Sequence, residues 1–355
     1  MSLSRIHQRL LPKMGKFAGI ELPLTFQKFN TNNVVTNTRR TGFTTVFDVS
    51  HMGLYESQIN FSQNKLEKLL HLDFNKLKKN KSKLAVLIDN EGFVIDDLII
   101  SNIEDRKFRL VTNANTPFFN DKEYLQPIEK SIIALQGKGS QMLLESLVKQ
   151  SLDDLYFMEN RSIVGSRFEI CRCGYTGEDG FELYLCDKYA PEVYDHLVSL
   201  AESTTSVLFG GLIERDILRT EAGLNLAGSE FNEKMKIKFK ALNMDFLIDK
   251  KFRNESKFES DIRKILFSSE KPIKRGKIFV KSNSDEETDI GFITSTVKSF
   301  NLNKFIGMGY INKDLYDYIT KYSIKNDIIY TKDRKNKNYF LEVHEEFITP
   351  DYYRK

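Results

Sequence analysis

Two adjacent carboxylates, Asp96 and Asp97, interrupt an otherwise apolar run, FVIDDLIIS (93–101). Charges in the middle of a buried strand cost several kcal/mol unless they are partnered or face a cavity. Period-two alternation places Asp97 with Phe93, Ile95 and Ile99, and Asp96 on the other face with Val94, Leu98 and Ile100. Neither acid has a basic residue nearby in sequence. The pair is therefore either bridged from a distance or used on a ligand, where burial would raise a carboxyl pKa toward the range useful for proton handling. A second acidic stretch is CRCGYTGEDGFELYLC (171–186), in which Gly174, Gly177 and Gly180 punctuate two alternating runs. It reads as strand, tight turn, strand. Tyr175, Thr176, Glu178 and Asp179 fall in or beside the turn, and Glu182 falls just inside the second strand. Two readings stand: a hairpin with a solvated acidic tip, or a ligand-facing hairpin whose carboxylate accepts from an N–H-rich molecule.

Other candidates are weaker. Arg215 and Arg219, four apart in LFGGLIERDILRTEAGLNLAGSE (208–230), share one helix face. They either pair with neighbouring acids or hold a carboxylate ligand bidentately. His51, in FTTVFDVSHMG (43–53), has apolar neighbours and reads as a satisfied structural group. Cys171 and Cys173, two apart on a strand, read as buried thiols. Three cysteines in all argue for a reducing compartment, and no metal-ligand spacing accompanies them. The basic run KLKKNKSK (76–83) is a solvated loop or a docking surface for an acidic partner.

The elements that must position these groups follow from pattern. Ile6, Leu10, Leu11 and Met14 recur at helical spacing over residues 5–14, and KFAGIELPL is extended. Ser62 is placed to cap a helix carrying Leu66, Leu69 and Leu70. LAVLI (84–88), DNEG and FVIDDLIIS form a hairpin. FRLVTNANTPFF (108–119) is a strand ending near Asn113 and Asn115. Residues 131–149 pass from strand through Gly137 and Gly139 into a helix, and 191–204 form a helix with Val193, Leu197, Leu200 and Ala201 inward. The arginine helix, with Ile213, Ile217 and Leu218 as its apolar face, stops at Gly223. Residues 231–277 read as a Lys-rich connection and the remainder, from about 278, as an all-β module. At 355 residues the chain expects two or three domains. A net charge of +4 is far from a nucleic-acid-binding profile, and no apolar run is long enough to span a bilayer.

Taken together, FDVSHMG (47–53), EGFVIDDLI (91–99), VTNAN (111–115), ALQG (134–137), GYTGEDGFE (174–182), GGLIERDILRTEAGL (210–224) and ITS–MGYI (293–311) resemble, in order and spacing, the aminomethyltransferase (T-protein) of the glycine cleavage system. The resemblance spans nearly the whole chain. It implies an α+β, three-domain cloverleaf around a central channel. A discontinuous folate-binding α/β domain (1–53 plus 135–255) would carry an inserted ferredoxin-like domain (54–134) and be followed by a C-terminal β-barrel (256–355). The implied reaction moves the methylene of an aminomethyl-dihydrolipoyl carrier to tetrahydrofolate and releases ammonia, with no metal.

Position by position, the resemblance makes Asp97 the catalytic aspartate and Glu182 the carboxylate that grips the pterin edge. Tyr175 and Asn113 would line the ring, Arg215 and Tyr352 would contact ligand, and Met52, Leu84, Ile99, Phe157 and Met158 would sandwich the folate. The partners implied are the lipoylated H-protein, the decarboxylase and dihydrolipoyl dehydrogenase, in the mitochondrial matrix, with neither nucleic acid nor membrane. Departures from the family pattern fall at Gly92–Phe93, Lys138, Leu226–Ala227–Gly228, Ile237–Lys240 and Ser299–Asn301, and leave Asp97, Glu182 and Arg215 in place. Two alternatives stay open at this point: a folate-binding protein of the same fold without transfer activity, of the iron–sulfur assembly type, and a tetrahydrofolate-dependent demethylase.

Overall fold

The computed structural model describes residues 3–57, 63–104, 107–114, 125–163, 168–252, 256–281, 287–322 and 329–348. Three large sheets organise them. The first has six strands in the order Asn160–Ser162, Phe168–Cys171, Gly180–Cys186, Lys130–Gln136, Thr44–Asp48, Val207–Phe209. Every pair is antiparallel except the last. Alternation sorts its side chains. Ile133, Leu135, Phe181, Leu183 and Leu185 face the helices Ser140–Val148 and Ala190–Ser203 in one core. Ile132, Ala134 and Tyr184 face the opposite way, against Ile217 and Leu218 of the helix Leu212–Glu221. Glu182 lies between Phe181 and Leu183, so the pleat sends it to the second face.

The second sheet has five antiparallel strands in the order Ser82–Ile88, Val94–Glu104, Lys107–Thr112, Gly53–Ser57, Leu125–Pro127. The helix Gln63–Leu70 packs Leu66 and Leu70 against it; the capping position Ser62 lies outside the described residues, as does Asn115. The third sheet has seven strands in the order Asn338–Phe340, Ile329–Lys332, Lys277–Lys281, Glu287–Lys298, Phe305–Asn312, Ile262–Ser269, Glu342–His344. Its two edges come from one segment of chain, broken only at the buried Leu341. The sheet is thereby almost closed into a barrel, and no long edge is left exposed.

Four expectations need correction. The N-terminal helix covers only Ser4–His7 with a short 3-10 turn, Gln8–Leu10, after it. Pro12, which lacks an N–H, then opens a strand that pairs with Ile20–Phe26. Met14 consequently lies in a strand, and Leu11 is exposed. The C-terminal sheet begins at Ile262 rather than near 278 and carries a helix, Lys313–Tyr322. The acidic hairpin has no tight turn, since residues 172–179 form a loop between its strands. Its tip is not solvated either: Glu178 is buried against Arg39, and Asp179 is gripped by both Nε and Nη2 of Arg172.

Candidate active site

The strand Val94–Glu104 delivers the two acids. Val94, Asp96, Leu98 and Ile100 are buried, whereas Ile95, Asp97 and Ile99 are half-buried. Asp97 and Ile99 line the central cavity, but Ile95, expected on their face, packs instead with Leu98 and Ile100, and Val94 packs with Val86 and Ile88. Leu87 pairs with Asp96 and Ile88 with Val94, so Ile95 has no partner and forms a bulge. Next to that bulge both carboxylates reach one side chain. Asn113 Nδ2 donates to Asp96 Oδ1 and to Asp97 Oδ1, each at 2.7 Å, and the Asp97 backbone N–H donates to Asp96 Oδ1 at 2.9 Å. Burial and the neighbouring Asp96 charge push Asp97 up to about 7, against the lowering effect of the Asn113 hydrogen bond.

Glu182, paired in register with Cys171, is 4% exposed. Burial raises its pKa, while the Arg215 charge, the Tyr184 hydroxyl at 3.1 Å and the Cys173 thiol favour the ionised form. Tyr175, on the loop before it, donates its hydroxyl to the Asn225 carbonyl and carries the Arg215 guanidinium 4.5 Å from its ring centre.

The two arginines of the helix Leu212–Glu221 divide sharply. Arg219 is consumed by structure. It pairs with Glu230 and Asp216, each at 2.7 Å, and donates to Ser295 Oγ at 2.9 Å and to the Leu224 carbonyl at 3.1 Å. Arg215 makes no ion pair with the described residues; burial lowers its pKa, partly offset by Tyr175 and Glu182. Four residues along the helix separate a fastening from a cation that faces the cavity.

These groups surround an inner cavity of about 150 Å³. Asp97, Asn113, Tyr175, Glu182 and Arg215 supply its polar wall, and Met52, Leu84, Ile99, Phe157 and Met158 its apolar one. All ten described candidates therefore meet in one place; Tyr352 lies outside the described residues. Met52, Asn113, Tyr175, Arg215 and Leu226 also border an outer chamber of about 330 Å³, so the two spaces adjoin. Asn113 faces the cavity, but its amide is committed to the two aspartates, so its position suits orienting Asp97 more than contacting a ring directly.

Sequence reading missed several members. Leu224, Asn225 and Leu226 line the cavity because the chain turns back after Gly223, where φ is +69°. Met244 arrives from the segment read as a mere connection, and Cys173 from the thiol pair, whose members are both buried. His51 is not a satisfied structural histidine. Its Nδ1 is buried without a hydrogen-bond partner among the described residues, its ring meets Phe17 edge-on, and it borders the outer chamber. Burial and the Arg215 charge lower its pKa to about 4, which keeps it neutral. Among the described residues no group of His, Cys, Asp and Glu is arranged to hold a metal ion, and no helix is long and apolar enough to cross a membrane.

Comparison with known proteins agrees along the whole chain. Residues 3–251 match the GCVT N-terminal domain family. The mitochondrial aminomethyltransferase of Saccharomyces cerevisiae is 31% identical over all of this chain and 95% of its own length. That of Dictyostelium discoideum is 31% identical over 87% of this chain and 84% of its own. The crystal structure of glycine cleavage system aminomethyltransferase T from Bartonella henselae superposes with a TM-score of 0.84, at 25% identity, covering 99% of this chain and 98% of that one. A family match over most of the chain, a full-length relative and a shared three-sheet fold point the same way: this chain belongs to the aminomethyltransferase (T-protein) family of the glycine cleavage system.

Proposed function

We infer that the chain carries out its family's reaction, transfer of the methylene of an aminomethyl-dihydrolipoyl carrier to tetrahydrofolate with release of ammonia, and that Asp97 is the catalytic carboxylate. The observation that carries this reading is the meeting of all ten described candidates around one cavity. The donor set suits a pterin. Such a ring has two flat apolar faces and an edge of adjacent N–H groups. The cavity offers thioether and aliphatic walls with a carboxylate, Glu182, set among them. That carboxylate can accept two parallel hydrogen bonds from the edge.

Tetrahydrofolate, when bound, supplies the accepting nitrogen. The protein's part is to hold and poise it. Asp97, raised to about 7, takes or returns a proton near neutral pH and, once ionised, favours positive charge developing beside it. Asn113 fixes its orientation. Arg215, over the Tyr175 ring, offers a cation to an anionic part of the ligand. The neighbouring apolar side chains keep water from the reacting atoms.

The finer assignments rest on family membership and surface chemistry. The partners are the lipoylated H-protein, and through it the decarboxylase and dihydrolipoyl dehydrogenase; a net charge of +4 and the exposed Lys78 and Lys79 suit an acidic carrier. The mitochondrial matrix is supported by the mitochondrial yeast and Dictyostelium relatives. The separate residue ranges of the three sheets support a division close to 1–53 plus 135–255, 54–134 and 256–355, with the second boundary moved ahead of Lys130, because the strand Lys130–Gln136 belongs to the six-stranded sheet. An acid in the position of Asp97 favours the transferase over a folate-binding protein without activity.

The deciding experiment measures methylenetetrahydrofolate formed from aminomethylated H-protein. Wild-type protein is expected to turn over. Asp97→Asn is expected to lose transfer while binding tetrahydrofolate nearly as well, and near-normal turnover in that variant would remove Asp97 from the chemistry.

A further inference from the structure

We propose that Lys264 is a positioning residue of the transfer site, reaching from the C-terminal sheet to hold the Gly223–Leu226 wall against Tyr175. The inference rests on the reading of Tyr175 and Arg215 as ligand-facing groups. Lys264 sits on the strand Ile262–Ser269, paired with Tyr310 and outside the set of groups assigned to the reaction. Its Nζ donates to the Gly223 carbonyl at 3.0 Å and to Asn225 Oδ1 at 2.8 Å. The same Asn225 accepts the Tyr175 hydroxyl on its backbone carbonyl and lays its amide on Met244 Sδ at 2.9 Å. Tyr175 in turn carries Arg215. An unbroken line of contacts thus runs from one ammonium to the cavity's cation.

The wall needs such an anchor. Leu224, Asn225 and Met244 border the inner cavity on one side and a groove of about 840 Å³ on the other. The wall is one residue thick there, and the chain enters it through Gly223 in the left-handed region, just past the end of a helix. A cation on the carbonyls that follow a helix C-terminus is favourably placed. Burial lowers the Lys264 pKa to about 8, with Glu230 opposing and Arg219 reinforcing, so the group is mostly charged at pH 7. Arg219 and Glu230 fasten the flanks of the same wall, at the Leu224 carbonyl and the Leu226 N–H. Lys264 fastens its middle.

Lys264→Met, which keeps the apolar stem, is expected to raise the tetrahydrofolate dissociation constant about tenfold by calorimetry, the loss typical of a charged hydrogen bond. KM for tetrahydrofolate should rise more than kcat falls. Combined with Tyr175→Phe, the two losses should not add, because both act through Asn225. Additive losses, or unchanged affinity in a folded Lys264→Met protein, would overturn the proposal. Should Lys264→Met not fold, Asn225→Leu removes the acceptor while keeping the backbone carbonyl, and the same results apply. Glu182→Gln is measured alongside. Weakened binding there with none in the Lys264 variant defeats this inference alone, whereas no loss in either defeats the reading of the cavity as the folate site.

Discussion

Asp97 is held in a state that folding alone would not choose. Its buried carboxyl stands beside Asp96, and both effects favour the protonated form. The folded-state pKa of about 7 lies above the unfolded value. The stability tied to this group is therefore complete below about pH 4 and is lost as pH rises through 7. Asp97→Asn escapes that loss. It is expected to be more stable than wild type by roughly 2–4 kcal/mol at pH 8 and equal near pH 4, while inactive. Urea titrations at the two pH values check this, and equal stability at both would show the site to be unstrained. The coupling has its own test. Asp96→Asn removes the neighbouring charge but keeps the oxygen that accepts from Asn113 and from the Asp97 N–H. In the proposed role ionised Asp97 is the working form, so kcat/KM should rise with pH, and in Asp96→Asn that rise should move about one pH unit lower. A pH profile that stays in place would break the link between the two acids.

At the scale of elements, the acidic loop 172–179 and the helix Leu212–Glu221 act as one unit joined by Arg39. Its guanidinium meets Glu221 at 2.8 Å, Glu178 at 3.1 Å, the Thr176 carbonyl at 2.9 Å and the Leu218 carbonyl at 3.1 Å. The tip acids that look solvated in sequence are fasteners, and they hold Tyr175 and Arg215 at their 4.5 Å contact. Close approach reinforces the join: a Cβ on Gly177, at φ +80°, would lie 2.8 Å from Ala222 Cβ. Arg39→Met leaves Glu221, which is fully buried, and Glu178 without this cation. It should destabilise the protein by about 3–5 kcal/mol in denaturant titrations, the cost of breaking a buried ion pair from one side. A loss below about 1 kcal/mol would place the network among ordinary surface pairs.

At the scale of the molecule, each sheet contributes to one cavity. The six-stranded sheet supplies Glu182, the five-stranded sheet Asp97, and the third sheet reaches the wall through Lys264. Helix Leu212–Glu221 ties them together, since Glu221 also accepts from Ser299 at 2.6 Å and Asn301 at 2.9 Å. These two residues lie in a turn that departs from the family pattern, yet they hold the barrel to the centre. Outside, Lys76 pairs with Asp73, Lys81 with Glu159 and Lys83 with Asp249, while Lys78 and Lys79 stand exposed. If an acidic carrier docks here, its affinity should fall severalfold as salt rises from low to physiological strength, and Lys78→Glu with Lys79→Glu should remove most of that dependence. A salt-independent dissociation constant would place docking elsewhere.

Sequence alone singled out the candidate groups that meet at the cavity and separated the two aspartates by face, although the bulge at Ile95 shifts the alternation before them. Strand alternation put Asp97 apart from Asp96, and helix spacing put Arg215 beside Arg219, because both periodicities are local properties of the backbone. Family motifs chose among the carboxylates. Tertiary structure decided what local pattern cannot encode: which charges find partners across the chain. Arg219 and Arg215 look alike in sequence, yet Glu230, eleven residues past the first, claims it and leaves the second facing the cavity. Glu178 and Asp179 look like a solvated tip, but Glu178 is buried against Arg39 and Asp179 is paired with Arg172. His51 looks satisfied, and its Nδ1 has no hydrogen-bond partner among the described residues. A buried charge is settled by whatever packs against it, and for Asp97 that means Asp96 beside it in the chain and Asn113 from the next strand.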